Sequence, residues 1–473
     1  MILYNTLARK EEEFKPANGK KVKMFVCGFT VYDDAHLGHA KTFVNFDVIV
    51  RWLRHQGYDV EYIQNITDVD DKIIKRAAER KIDPIELARM YEKRALEDLD
   101  RLGVKKGVTD FPRSHDYIEA IAKQIQLLLD KGYAYILDGD VYYNVAKFPD
   151  YAKLSGIRLD ELEKHRIEPR EGKINQYDFA LWKASKGGEP SWEIILNEKE
   201  RTAELDGRPG WHIEDTAITY EKFGPQYDVH GGANELIFPH HTNEIAQAEA
   251  AFGKRPFVRY WLHSGVLNVR GQKMSKSLKN FVTIREALEG HKPEAIRLLF
   301  CSTHYRKEID YSEESIKEAG KRLGYLYAAL GIFYNMKAIA KGRNDDEVLG
   351  ITDALDTEFS AAMEADFNAP LALANLVIAL NRLRAFAANN EEVGRSAKTK
   401  AIKKVLEMAQ IFGILEEDSY KEPIPKEAIR LIEEREVLRK QRKFTEADKI
   451  REALKRQGII IEDTKDGVSW HRG

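Results

Sequence analysis

CGFTVYDDAHLGH, residues 27–39, is the stretch whose reading decides the fold. The apolar run at 22–26 just before it predicts a short buried strand, broken at Gly28. After a polar turn, Phe43, Phe46, Val50 and Leu53 recur at helical spacing, and Gly57 stops the helix. Strand, loop and helix in that order make the first unit of a nucleotide-binding α/β fold, with the loop where phosphates sit. The loop lacks the glycine-rich fingerprints of dinucleotide and P-loop sites. It offers instead two imidazoles one turn apart, His36 and His39, around Gly38. A glycine there lets a bulky ligand press against the backbone. Beside a helix N-terminus, both imidazoles can donate to phosphate oxygens without covalent chemistry.

The 473 residues suffice for about two to four domains, each with its own core. With 32% charged and 43% hydrophobic residues the chain reads as soluble and globular. A net charge of −2 excludes a uniformly basic nucleic-acid binder but leaves room for a local basic face. No uninterrupted apolar run is long enough for a bilayer, and the start MILYNTLARKEEEF lacks a signal-peptide pattern, so no membrane association is expected. Two cysteines, Cys27 and Cys301, give no disulfide framework, and a reducing cytoplasm is the expected location.

Outward from the first unit, residues 60–66 read as a second strand running into NITDVDDKIIKRA. Asp68, Asp70 and Asp71 there suit a helix N-terminus, with binding of a substrate amine as the alternative. Long amphipathic helix follows to about 131, interrupted between 103 and 112. The section at 133–205, rich in glycine, proline and short strands, reads as an insertion that interrupts the main sheet. The sheet resumes near 210 with GWHIEDTA, YDVHGGANELIFPHHTNE and WLHSGVLNVRGQKMSKS. From about 312 to 418 the pattern is helices only, with Leu373, Leu376, Leu380 and Leu383 as a core stripe. Pro423 and Pro425 mark a linker, and beyond it lies a small module with a hairpin expected at Asp466 and Gly467.

HLGH alone is a weak signal, and so is KMSKS at 273–277. In this order, on this strand–loop–helix, they resemble the two signatures of the class I aminoacyl-tRNA synthetases. The chemistry fits adenylate formation, in which a carboxylate attacks the α-phosphate of ATP and charge builds on the departing pyrophosphate. Lys273 and Lys276 on a mobile loop can close over those phosphates. In FPHHTNE, His240 and Glu244 stand at i and i+4, a spacing that suits two ligands of one zinc ion, and Cys27 can supply a thiolate.

CGFTVYD, NITDVDDKIIKRA, GWHIE, HGGANELIFPHHTNEIAQ and KMSKS together resemble the cysteinyl-tRNA synthetases, and the likeness extends through DFNAP to the last module. The resemblance implies a Rossmann-type catalytic domain at 1–311, with an inserted acceptor-end subdomain at about 112–205 and a KMSKS region at about 262–311. It further implies a helical bundle at 312–421 and a small α/β anticodon-binding module at 422–473. It implies one zinc ion per chain, held by two cysteines, a histidine and a glutamate, that binds the substrate's own thiolate. Here the first cysteine is Cys27, the histidine His240 and the glutamate Glu244, while the second cysteine is replaced by Asp215. An aspartate keeps the formal charge and can ligate zinc through oxygen. The implied ATP set is Thr30, His36, Gly38, His39, Gly231, Gly232, Glu235 and Lys276, and the implied cysteine set is Gly28, Thr67 and Trp211. HGGANEL departs from the family's HGGG-x-D-L at Ala233 and Glu235. Expected partners are tRNA(Cys), cysteine and ATP with Mg2+, with the chain acting as a monomer.

Near the end, Arg435, Arg439, Lys440, Arg442, Lys443, Lys449, Arg451, Lys455 and Arg456 gather around Phe444, with Trp470 beyond. Basic residues among aromatics can hold unstacked bases and phosphates. A ligase joining activated cysteine to a small amine would lack this module, and a catalytically dead RNA-binding protein would not keep His36, His39, Lys273 and Lys276.

Overall fold

In the computed structural model, the described residues are 1–157, 170–198, 201–274, 280–422, 426–457, 459–464 and 467–472. They form two units: Met1–Glu289 with Tyr305–Asp310, and Gly290–His304 with Tyr311–Gly473.

The first unit opens on a short antiparallel pair, β1 (Ile2–Asn5) and β2 (Lys10–Glu13). β3 (Lys21–Thr30) follows, longer than the apolar run predicts. Gly28 does not end the strand. A Cβ there would stand 1.7 Å from the carbonyl oxygen of Asn65, so glycine is what lets the neighbouring strand approach. The register shifts between Val26 and Phe29, a local irregularity of the bulge type in the β3–β4 pairing. α1 (Leu37–His55) buries Phe43, Phe46, Val50 and Leu53, and β4 (Asp59–Thr67) returns parallel to β3.

α2 (Asp71–Arg80), α3 (Pro84–Arg101) and α4 (Ile118–Asp130) come next. The acids before α2 are structural: Asp70 caps the helix through the Lys72 N–H, and Asp71 pairs with Lys183 and Arg208 at 2.8 and 2.6 Å. Asp68 pairs with His115. The insertion is an antiparallel sheet of β5 (Ala134–Leu137), β6 (Asp140–Tyr143), β7 (Phe179–Ala184), β8 (Trp192–Glu198) and β9 (Arg201–Pro209), in the order β5-β6-β7-β9-β8.

The chain then re-enters the parallel sheet through α5 (Ile213–Phe223), β10 (Tyr227–Ala233), α6 (Thr242–Phe252) and β11 (Val258–Ser264). The order β11-β10-β3-β4 is parallel throughout, the arrangement of a Rossmann-type domain. From β3 the sheet grows one way to β4, and from β10 the other way to β11. The connection therefore reverses between β3 and β10, and ligands settle at the carboxyl ends of strands at such a point. β12 (Leu267–Val269) and β13 (Gln272–Lys273) form a hairpin whose sheet includes β14 (Ile309–Tyr311), and α7 (Ile284–Gly290) lies between them in sequence.

The second unit is helical: α8 (Pro293–Cys301), α9 (Glu313–Tyr334), α10 (Asp345–Glu364), α11 (Ala369–Asn389) and α12 (Arg395–Phe412). It departs from helices only, because β15 (Lys337–Ile339) and β16 (Glu392–Gly394) pair in parallel. By length and mean composition α11 could cross a membrane. Asn375, Asn381, Arg382 and Arg384 interrupt it, and its stripe of Leu373, Leu376, Leu380 and Leu383 is buried, with α9 and α10 packed alongside. Cys301 is buried in α8. The last module packs α13 (Lys426–Lys440), α14 (Phe444–Arg456), β17 (Ile459–Thr464) and β18 (Gly467–Arg472) around Ala428, Leu454, Ile459 and Ile461. Asp466, where the hairpin turn is expected, lies outside the described residues.

Candidate active site and metal cluster

His36 is the N-cap of α1, and His39 is its third residue. Each accepts the other's backbone N–H through its Nδ1, at 3.3 Å both ways, and the rings stack with centroids 3.7 Å apart. An Nδ1 that accepts leaves the ring proton on Nε2, so both imidazoles present an Nε2–H. Desolvation and the neighbouring His36 push His39 well below the ordinary histidine range, which keeps that ring neutral. A Cβ on Gly38 would meet His36 Cε1 at 2.8 Å, so the room this glycine leaves is taken by the His36 ring rather than left open.

The segment after KMSKS returns to this loop. Leu37 N–H donates to Val282 O at 3.0 Å, Ile284 N–H donates to Ala35 O at 2.8 Å, and Phe281 meets the His36 ring edge-on. Lys273 lies on β13, while Lys276 lies outside the described residues. One turn into α1, the buried Lys41 ammonium donates to Ser264 Oγ, Gly265 O and Tyr305 O at 3.2, 2.7 and 3.3 Å. Burial lowers its pKa to about 7.

Across the reversal point, three chain segments bring Cys27 (β3), Asp215 (α5), and His240 with Glu244 (just before and within α6) together, all buried. Cys27 Sγ is 3.3 Å from Asp215 Oδ2 and 3.9 Å from Glu244 Oε1. His240 Nε2 is 3.0 Å from both Asp215 Oδ2 and Glu244 Oε1. Asn65 orients the aspartate: its amide donates to Asp215 Oδ1 at 2.6 Å and accepts the Gly28 N–H at 2.7 Å. Burial, with Asp215 as the next cause, pushes the Cys27 thiol and the Glu244 carboxyl well up. Burial raises Glu214 too, beside Asp215. Glu244 Oε2 is buried without a hydrogen-bond partner among the described residues. Sulfur, nitrogen and oxygen donors crowded this closely, with an orphaned carboxylate oxygen, fit a divalent cation that would relieve the repulsion.

Trp211 is 40% exposed and stacks on His240 with centroids 4.4 Å apart, so it covers the cluster rather than packing in the core. Thr67 stands opposite Thr30 at the strand ends, and its hydroxyl donates to Glu214 Oε1 at 2.5 Å. Gly231 and Gly232 are close-packed within the protein: a Cβ would meet Phe46 at 2.4 Å from the first and His241 at 2.9 Å from the second. Glu235 is exposed in the turn after β10. Of the basic residues near the C-terminus, Arg435 is fully buried and does not reach the surface.

Sequence reasoning missed the ring of histidines behind the cluster. His230 and His241 stand 3.3 and 3.1 Å from Cys27 Sγ through Nε2, and His212 Nδ1 lies 2.9 Å from His240 Nδ1. His263 lies against His241, and burial lowers its pKa to about 3. The available signal was the doubled histidine in FPHHTNE, since His241 and Glu244 also share a helix face at i, i+3.

Residues 13–321 match the model of the class I (C) tRNA synthetase catalytic domain, and residues 422–470 match that of the cysteinyl-tRNA ligase anticodon binding domain. The chain is 46% identical over 480 residues to the cysteine–tRNA ligase of Thermococcus onnurineus, with 99% of this chain and 98% of that one covered. It is 43% identical over 476 residues to that of Caldicellulosiruptor saccharolyticus, with 100% of both covered. Among solved structures, the Mycobacterium tuberculosis methionyl-tRNA synthetase with methionyl-adenylate superposes with a TM-score of 0.59 at 16% identity, covering 83% of this chain and 89% of the other. The LeuRS of Agrobacterium radiobacter gives 0.59 at 11%, covering 87% and 88%. At those identities the structural likenesses carry the fold alone.

Proposed function

The chain belongs to the cysteine–tRNA ligases, ATP-dependent class I aminoacyl-tRNA synthetases, and on that premise we propose how its residues divide the work. A carboxylate oxygen of cysteine bonds to the α-phosphorus of ATP, the bond to the β-phosphate's bridging oxygen breaks, and pyrophosphate leaves. A ribose hydroxyl of the tRNA's terminal adenosine then takes the cysteinyl group and releases AMP. His36 and His39 offer neutral Nε2–H donors to the phosphates, held in place by their reciprocal backbone bonds. Lys273 and Lys276 add positive charge where it develops in the transition state, and Mg2+ accompanies the nucleotide. Thr30, Gly38, Gly231, Gly232 and Glu235 belong to the nucleotide side, and Gly28, Thr67 and Trp211 to the cysteine side.

Cys27, Asp215, His240 and Glu244 would hold one zinc ion. Bound there, zinc supplies a Lewis acid that takes a thiolate far better than a neutral hydroxyl, which sets cysteine apart from serine. Trp211 screens His240 from water, and Asn65 aims Asp215 inward. The observation that supports this reading most is the convergence of the four buried donors, with Glu244 Oε2 lacking a hydrogen-bond partner among the described residues. Asp215→Ala should lower bound zinc and raise KM for cysteine, and Asp215→Cys should restore both. A full zinc complement in Asp215→Ala, measured by elemental analysis, would exclude Asp215 from the ligand set.

The insertion and the terminal module are the RNA-binding parts in this reading, with tRNA(Cys) as partner and a cytoplasmic monomer as the working form. The module's exposed Phe444, at 54%, supports a surface on which a base can stack.

A further inference from the structure

The chain between β11 and α7 carries KMSKS, and both its ends are tied to α1 and the loop before it. The returning end is held by backbone: Leu37 N–H donates to Val282 O, Ile284 N–H to Ala35 O, and His36 bridges to Thr283. The outgoing end is held by side chains of α1. Lys41 Nζ donates to Gly265 O at 2.7 Å and to Ser264 Oγ at 3.2 Å. Asn45, one turn further on, donates to the same hydroxyl at 2.9 Å. Lys41 also reaches Tyr305 O at 3.3 Å, the carbonyl that accepts the Gly265 N–H at 2.9 Å. Two residues after Gly265, β12 begins the hairpin whose second strand bears Lys273.

A lysine costs stability at this position. Lys41 is 1% exposed and forms no ion pair among the described residues, with the Glu308 charge acting only from a distance. A methionine would fill much the same space without taking a charge out of water. What the amine does that an apolar chain cannot is join acceptors from two segments, Ser264–Gly265 and Tyr305. Those segments press backbone to backbone, since a Cβ on Gly265 would stand 2.4 Å from the Lys307 carbonyl carbon and oxygen. The site also satisfies both forms of the side chain. An ammonium gives one N–H to each acceptor, and a neutral amine gives two to the carbonyls and accepts the Ser264 O–H.

We propose that Lys41 is a positioning residue for adenylate formation: through Ser264, Gly265 and Tyr305 it sets the root of the KMSKS hairpin against the helix that presents His36 and His39. Asn45 shares the task. The imidazoles and the KMSKS lysines act on the same phosphates, so the two signatures must keep a fixed spacing, and a displacement of about 1 Å can cost about 10²-fold in rate. The inference rests on the role proposed above for Lys273 and Lys276.

The test is a double-mutant cycle on the full-length chain with Lys41→Met and Lys276→Ala, read by single-turnover formation of cysteinyl-adenylate. Lys41→Met should slow that step about 10–100-fold and leave KM for cysteine within about twofold. Combined with Lys276→Ala, the slowing should be at least about threefold less than the product of the separate effects, because a lysine that is absent cannot be misplaced. Arg51→Met is the control: Arg51 lies on the same helix but bonds Asp47 and Gly103 O, so its loss should lower thermal stability and leave the rate unchanged. An unchanged rate in Lys41→Met, fully multiplicative effects, or equal slowing by Arg51→Met overturns the inference, while a slow Lys276→Ala keeps the reading of KMSKS standing. If Lys276→Ala is as fast as the unmutated chain, that reading falls and the inference with it. Should Lys41→Met fail to fold, Ser264→Ala takes its place in the cycle: slowing of about threefold or more that is less than multiplicative supports the inference, and an unchanged rate or full multiplicativity refutes it.

Discussion

Lys41→Met should change how stability depends on pH. The Lys41 amine is buried against Ser264, Gly265 and Tyr305, and its pKa falls from 10.5 to about 7 because burial disfavours the charged form, with Glu308 only partly countering. The folded-state value lies below the unfolded one, so between those pH values the unfolded chain binds more protons. Below about pH 7 the folded chain carries the whole cost of a buried ammonium. As pH rises toward 10.5 the cost disappears, and stability rises with it. The gap corresponds to roughly 5 kcal/mol at ~1.4 kcal/mol per pH unit, of which about 2 kcal/mol should be recovered between pH 7 and 9. Methionine removes this titration and leaves the two carbonyls without their donor, a loss of about 1–3 kcal/mol each that does not vary with pH. The stability of the unmutated chain relative to the variant should therefore climb by about 2 kcal/mol over that window, or a few degrees in Tm. Calorimetric scans of both proteins at matched rates, at pH 7, 8 and 9, measure it. Parallel curves would show that Lys41 titrates as an ordinary lysine and would refute the reasoning.

Gly28→Ala should cost about 3 kcal/mol, because its Cβ would overlap the Asn65 carbonyl and force β3 from β4; thermal melts check this, and KM for cysteine should rise as Asn65 releases Asp215. Lys276→Ala should slow formation of cysteinyl-adenylate roughly 10²–10³-fold with ATP affinity nearly unchanged, read by single-turnover kinetics. A chain ending at residue 421 should keep cysteine-dependent pyrophosphate exchange but lose aminoacylation, and its tRNA binding should depend less steeply on salt.

What was legible in the sequence was what lies close along the chain. The helix start at His36, the apolar faces of α1 and α11, and the acidic cap of α2 are set by neighbours within a few residues. Gly28 was misread as a strand end because its reason, Asn65, lies 37 residues away on another strand. The resemblance puts Trp211 in the cysteine set, but that it stacks over His240 could not be read from GWHIE, which does not tell which side of the chain meets solvent. The histidine ring was invisible for the same cause: His212, His230, His241 and His263 sit on different elements, and only the parallel order of β3, β10 and β11 brings them together. The pairing of β15 with β16 joins residues more than fifty apart, beyond the reach of periodicity.

The insertion is riveted to the helix that carries Glu244. Tyr143 donates to Ala246 O at 3.0 Å, Lys131 to Ala251 O at 2.6 Å, and Tyr151 to the Asn243 side chain. On leaving the insertion, β9 runs within a few residues into Trp211 and Asp215. Anyone transplanting this segment between synthetases should thus find it inseparable from amino-acid choice. A chimera cut at the edges of the insertion would inherit a foreign grip on α6, and its first symptom should be lost preference for cysteine, ahead of any defect in RNA binding.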